Sequence, residues 1–119
     1  MISQKYRFHG HSSLRYVMSN GQILHSKFFA VRWATNERRH RPRVSVVVSK
    51  KVFKSAVKRN RIRRRIYEIV RHLLPGSPAV DVVISVYSSE TLTATHDELT
   101  IQLLPLLHKA GLGTHQTHK

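Results

Sequence analysis

Residues 44–87 read VSVVVSKKVFKSAVKRNRIRRRIYEIVRHLLPGSPAVDVVISVY, and this stretch decides the architecture. Its first part alternates: Val44, Val46 and Val48 share one face of a strand, and Ser45, Val47 and Ser49 share the other, more polar face. From about Lys54 to Leu74 the period changes. Ile62, Ile66, Ile69, Val70 and Leu73 fall at the spacing of one buried helix face, and Pro75-Gly76 ends the helix. AVDVVISVY, residues 79–87, is a near-continuous apolar run of the kind found in a central strand. Strand, helix and strand in this order predict a parallel crossover, which in general is right-handed in about 98% of cases.

Working outward, HSSLRYVMS at 11–19 predicts a short helix with Ser12 or Ser13 as its cap, ended by Asn20-Gly21. Gln22 to Thr35 is rich in Phe, Val, Ile and Trp and suits one bent strand or two short ones. ERRHRPR at 37–43 reads as a basic loop because Pro42 disfavours regular structure. Thr95 and Glu98 form a capping box for a last helix, which Pro105 should kink or shorten. The expected fold is therefore α+β, a two-layer sandwich in the order α-β-β-β-α-β-α, with its helices largely on one side of the sheet. Residues 1–112 form a single expected domain, and 113–119 a disordered tail.

Composition narrows the chemistry. The 119 residues carry 21 Lys and Arg against 6 Asp and Glu, a formal net charge of +15, and no cysteine. Disulfides, thiolate metal sites and a cysteine nucleophile are excluded, in keeping with a reducing cytoplasm. No apolar run approaches the roughly 20 residues of a spanning helix, and the first residues lack the apolar segment of a secretion signal. Charge this lopsided favours a polyanionic partner, nucleic acid ahead of an anionic membrane. It is concentrated too: ten cations and one acid, Glu68, lie between Lys50 and Arg71. A merely solvated helix face mixes signs at i, i+4, because like-charged neighbours there destabilise it. Arginine forks match phosphate oxygens, and Asn60 adds a neutral donor and acceptor among the cations.

Protein-borne catalysis finds little support in the sequence. The six acids, Glu37, Glu68, Asp81, Glu90, Asp97 and Glu98, are scattered, and only Asp97-Glu98 adjoin, at a helix start where acids favour the dipole. His9 and His11 are two candidate ligands with no third, so no metal site is expected on the protein. Phosphate-cradling glycine loops and nucleophile motifs are absent.

The stretch SVVVSKKVFKSAVKRNRIRRRIYEIVR, residues 45–71, resembles the signature of the bacterial ribonuclease P protein subunit. Ser49-Lys50-Lys51, Ala56-Val57, Arg59-Asn60-Arg61, Ile62, Arg63-Arg64 and Glu68 match it in order. Upstream, Arg7, Val17 and Gly21 stand at the spacing of the family's opening motif, and Phe29 fits the strand after it; downstream, Asp81-Val82-Val83-Ile84 resembles its fourth strand. The chain departs from the pattern at Ser13-Leu14, where Asp-Phe is usual, and at Ser45, where Gly is common. No Gly follows Lys51, Arg65 replaces an aliphatic residue, and Tyr67 replaces an Arg.

The resemblance implies a left-handed crossover in place of the usual hand. It implies that the protein binds a catalytic RNA, which removes the 5′ leader of precursor tRNA with magnesium held through that RNA. The protein itself then needs no cofactor and no catalytic residues, and acts as a cytoplasmic monomer in a 1:1 ribonucleoprotein. Lys50, Lys51, Lys58, Arg59, Asn60, Arg61, Arg63 and Arg64 would face the catalytic RNA. Leu14, Tyr16, Val17, Phe29, Val31, Val47 and Ser49 would line a leader cleft between the first helix and the sheet. A core role for Phe28, Phe29 and Trp33 is an equal alternative to stacking, since alternation allows only one of Phe28 and Phe29 on the open face. The competing function is a ribosomal-type RNA-binding protein without catalytic association; a self-sufficient nuclease ranks third.

Overall fold

A computed structural model describes residues 6–7, 11–36 and 40–113, with the side chains of 11–13 left aside. Its elements are α1 (His11–Asn20), β1 (Gln22–His25), β2 (Phe29–Thr35), β3 (Arg43–Val48), α2 (Ala56–Val70), β4 (Val80–Val86), a 3-10 turn (Ser89–Leu92) and α3 (His96–Lys109). The expected order of helices and strands is therefore present. Ser12 and Ser13 fall inside α1 and do not precede it. The predicted basic loop lies partly outside the described residues, as do 114–119 of the predicted tail. Gly113 is tied down, its N–H donating to Ser77 Oγ at 2.8 Å.

The four strands lie in the order β1-β2-β4-β3. β1 and β2 are antiparallel, as are β2 and β4, while β3 and β4 run parallel with α2 as their crossover. β4 is interior, which explains its apolar run. One polar exception is built in: the Asp81 carboxylate accepts from Arg43 Nε and Nη2 at 2.9 and 2.8 Å, and from Asn36 Nδ2 at 2.9 Å. β3 is an edge strand whose outer side is partly covered. Arg7 bridges Val44, and the buried Tyr67 hydroxyl accepts from the Val46 N–H at 3.3 Å.

Register assigns the two faces. Phe29, Val31 and Trp33 align with Val86, Ile84 and Val82, and these in turn with Val48, Val46 and Val44. On this face sits the main core, packed under Ile62, Ile66, Ile69 and Val70 of α2 and Leu99, Leu103, Leu106 and Leu107 of α3. The opposite face carries α1, anchored by Val17 against Val83 beside Leu14, Ala34 and Val47.

Three helix ends show the local logic. Ser55 caps α2 by accepting from the Lys58 N–H, so the helix begins at Ala56, later than expected from periodicity alone. It also ends earlier, at Val70, and turns carry the chain on to Gly76, whose φ of 83° suits glycine. α3 has the expected capping box from Thr95 and Glu98, yet it continues through Pro105 to Lys109. Pro105 and Ile101, one turn before it, are both exposed, so the helix loses a hydrogen bond on its wet side.

Gly21 joins α1 to β1 at close quarters. A Cβ there would lie 2.6 Å from the Val17 carbonyl oxygen and 2.7 Å from that of Trp33, both backbone atoms. Gly21→Ala is therefore expected to push α1 away from the sheet and to cost about 1–3 kcal/mol, the usual range for overpacking. Thermal unfolding, with hydrogen exchange along α1, checks this; an unchanged melting temperature and unchanged α1 protection would refute it.

Candidate nucleic-acid interface

The loop between β3 and α2 is short and internally bonded. Ser49 C=O accepts from the N–H groups of Val52 and Phe53 at 3.1 and 3.2 Å, and Ser49 Oγ accepts from the Lys51 N–H at 3.1 Å. Phe53 is buried in the core, so the turn is pinned at its far end while Lys50 and Lys51 stay exposed. The next turn of chain presents Lys58, Asn60, Arg61 and Arg64 to solvent, with Arg59, Arg63 and Arg65 half-buried.

Folding separates these arginines by what they bond. Arg59 Nη1 donates to the carbonyls of Phe53 and Lys54. Arg63 Nη2 donates to Asn60 Oδ1, one helical turn away. Arg65 reaches across to the end of the 3-10 turn, where Nη1 donates to Thr91 O at 2.9 Å and Leu92 O at 3.3 Å, and Nη2 to Ala94 O at 2.6 Å. It ties α2 to the start of α3 and faces away from the basic surface. Glu68 pairs with Arg71 at 3.0 Å and lies 3.8 Å from His72. The Arg71 guanidinium holds the Glu68 carboxyl below its usual range, and among the described residues no acid pairs with the Lys50–Arg64 cluster.

Charge is also segregated along the chain. Nineteen of the 21 Lys and Arg precede residue 72, and residues 72–108 contain none. The basic surface therefore belongs to the first two-thirds of the chain, while β4 and most of α3 form a neutral-to-acidic remainder.

The second candidate surface is the sheet face beside α1. Register places His25, Ala30, Ser85 and Val47 in one row, next to a row of Ile23, Arg32, Val83 and Ser45. Among the described residues, Tyr16 on α1, 58% exposed, and Tyr87 after β4, 47% exposed, are the exposed aromatic side chains. The Tyr87 hydroxyl donates to Ser26 O, and its ring meets His25 edge-on at 6.3 Å.

This arrangement corrects the expected cleft. Phe29 and Val31 are fully buried on the opposite face, beneath α2 and α3. The β2 residue aligned with Val47 through Ser85 is Ala30, so alternation turns Phe29 and Val31 away. Phe28 is buried as well, which settles the phenylalanines as core. Val17 is fully buried as the anchor of α1, while Leu14 and Val47 are half-buried and Tyr16 and Ser49 exposed. The same face holds Ala30, Ser85 and Tyr87, which the sequence reading does not name; Ser85 and Tyr87, two apart at the end of the run 79–87, were the available signal.

Among the described residues no three His, Asp or Glu side chains gather as a metal site, and no helix is long and apolar enough to cross a membrane. The His9–His11 pair lies outside the described side chains.

Comparison with known proteins places these surfaces in a family. A sequence model of the family described as Ribonuclease P matches residues 2–111. The chain is 44% identical over 70 residues to the ribonuclease P protein component of Xanthomonas axonopodis pv. citri, covering 59% of this chain and 48% of that protein. It is 36% identical over 95 residues to that of Xanthomonas oryzae pv. oryzae, covering 80% and 63%. With that of Thermus scotoductus it shares 40% over 96 residues, covering 80% and 54%. The chain thus spans about half to five-eighths of the length of these curated relatives. Among solved structures, a Staphylococcus aureus RNase P protein mutant with defective mRNA degradation activity superposes with a TM-score of 0.81 at 23% identity, covering 92% of this chain and 91% of that one. The RNase P protein from Thermotoga maritima gives 0.76 at 24%, covering 87% and 96%. At these identities the structures show a shared fold. Since the family match runs from residue 2 to residue 111 and takes in the Ser-Lys-Lys turn and the Arg-Asn-Arg helix, the chain belongs to the ribonuclease P protein component family.

Proposed function

We propose that this chain is the protein subunit of a ribonuclease P ribonucleoprotein, binding the catalytic RNA through α2 and its preceding turn and the 5′ leader of precursor tRNA through the sheet face beside α1. The observation that carries the reading is the exposed cluster Lys50, Lys51, Lys58, Arg61 and Arg64, with Arg63 held by Asn60, to which no acid pairs among the described residues. Phosphates of a folded RNA supply the missing negative charge. Small side chains at Ala30, Ser45 and Ser85 leave room for a single strand to approach the sheet, and Tyr16 and Tyr87 offer rings for base stacking.

Magnesium, held by the RNA, would supply the hydrolytic chemistry, and this chain's residues bind and orient. Four of its six acids have structural partners: Asp81 bonds Arg43, Glu98 the α3 cap, Glu68 Arg71, and Glu90 lies 3.6 Å from Lys27. The subunit works as a cytoplasmic monomer in a 1:1 complex. The direct test is reconstitution with a bacterial ribonuclease P RNA, magnesium and precursor tRNA. Addition of the protein is expected to raise 5′ cleavage at limiting magnesium, and the protein alone is expected to cleave nothing. Cleavage by the protein alone, or no response to its addition, would sink the reading.

A further inference from the structure

Arg59 opens the Arg-Asn-Arg triplet, yet its guanidinium folds back onto the chain that precedes the helix. Nη1 donates to Phe53 O at 2.8 Å and to Lys54 O at 2.9 Å, one hydrogen for each carbonyl. Its own backbone N–H closes the first bond of α2 to Ser55 O at 3.1 Å. The side chain is half-buried, unlike those of Arg61 and Arg64. The segment it grips carries Lys50, Lys51 and Lys54, all exposed. That segment is fixed at one end by the Ser49 carbonyl and at the other by buried Phe53 and the Ser55 cap.

We infer that Arg59 is a positioning residue: its grip on the carbonyls of Phe53 and Lys54 locks the lysine turn against α2, so that Lys50 and Lys51 face the same phosphates as Arg61 and Arg64. The physical case is one of order. Lysine ammonium groups on flexible stems lose conformational freedom when they meet a phosphate, and a turn already held in place loses less. A guanidinium suits the task because its planar fork meets two carbonyls with two hydrogens of one nitrogen. This inference rests on the proposed RNA-binding role of α2, and it changes the part Arg59 plays there from phosphate contact to organiser of the contact.

A double-mutant comparison tests it. Arg59→Ala is measured for affinity to ribonuclease P RNA in the native chain and in a Lys50→Ala/Lys51→Ala chain. If Arg59 acts through the lysines, the change weakens binding by about 10-fold in the first background and by less than about 2-fold in the second. Equal losses in the two backgrounds would overturn the inference by making Arg59 a phosphate contact in its own right. Hydrogen exchange on the protein without RNA separates the two levels of the argument. The Val52 and Phe53 amides should exchange faster in Arg59→Ala and remain protected in Arg61→Ala. If the native chain binds no RNA, the functional reading fails while this measurement still decides the latch: unaltered exchange in Arg59→Ala overturns it.

Discussion

Replacing Arg61 and Arg64 together with alanine is expected to weaken binding to ribonuclease P RNA by roughly 30- to 1,000-fold, on about 1–2 kcal/mol for each charge-assisted phosphate bond lost. Both side chains are exposed on α2. Their removal should therefore leave the fold intact, and the melting temperature should hold or rise as like-charge repulsion falls. The signature is in the salt dependence. Two fewer phosphate contacts lower the slope of log K against log salt by roughly 1.5–2. Filter binding across a salt series, with unfolding as the control, measures both quantities. An affinity loss with an unchanged slope would mean that these arginines act on protein conformation and do not meet phosphate.

Asp81→Ala is the change expected to damage the fold most for its size. Arg43 and Asp81 are only 11% and 8% exposed in their side chains, and the carboxylate also receives Asn36. Truncation removes from a largely buried site the carboxylate that accepts both Arg43 donors and Asn36 Nδ2, at a cost of about 3–5 kcal/mol. Against a typical total stability of about 5–15 kcal/mol this is severe, and the melting temperature should fall by roughly 10–20 °C. The double change Arg43→Met/Asp81→Leu removes both charges and is expected to restore most of the loss. Thermal unfolding of the single and double variants decides the matter. A tolerated Asp81→Ala would show that the pair is solvated in solution.

Much of the molecule was legible before any coordinates. The valine alternation of β3, the isoleucine stripe of α2 and the Thr95–Glu98 box each reflect a local rule whose outcome survives in the fold. Helix ends were less legible. Periodicity runs α2 back to about Lys54, but the Ser55 hydroxyl takes the Lys58 N–H as cap and the helix begins at Ala56. The sequence expects Pro105 to kink or shorten the last helix, yet the apolar face formed by Leu99, Leu103, Leu106 and Leu107 carries α3 past it to Lys109.

By itself the sequence determined the element order, the concentration of cations between Lys50 and Arg71, and the family signature they form. These depend on neighbours within a few residues and on composition, both written along the chain. Tertiary structure alone decided which residues are available at the surface. Phe29 and Val31 have the opposite parity to Ala30, and the pairing of β2 with β4 put them on the face covered by α2 and α3 while Ala30 lies on the other. Among the arginines of α2 the sequence sets apart only Arg65, at a position where the family pattern has an aliphatic residue, and does not say what it bonds. Arg65 became a structural tie because the carbonyls of Thr91, Leu92 and Ala94 arrive beside it only when the sheet is complete, whereas Arg61 and Arg64 stay exposed. A guanidinium bonds whatever acceptors the fold brings within reach, and contacts between residues distant in the chain place those acceptors.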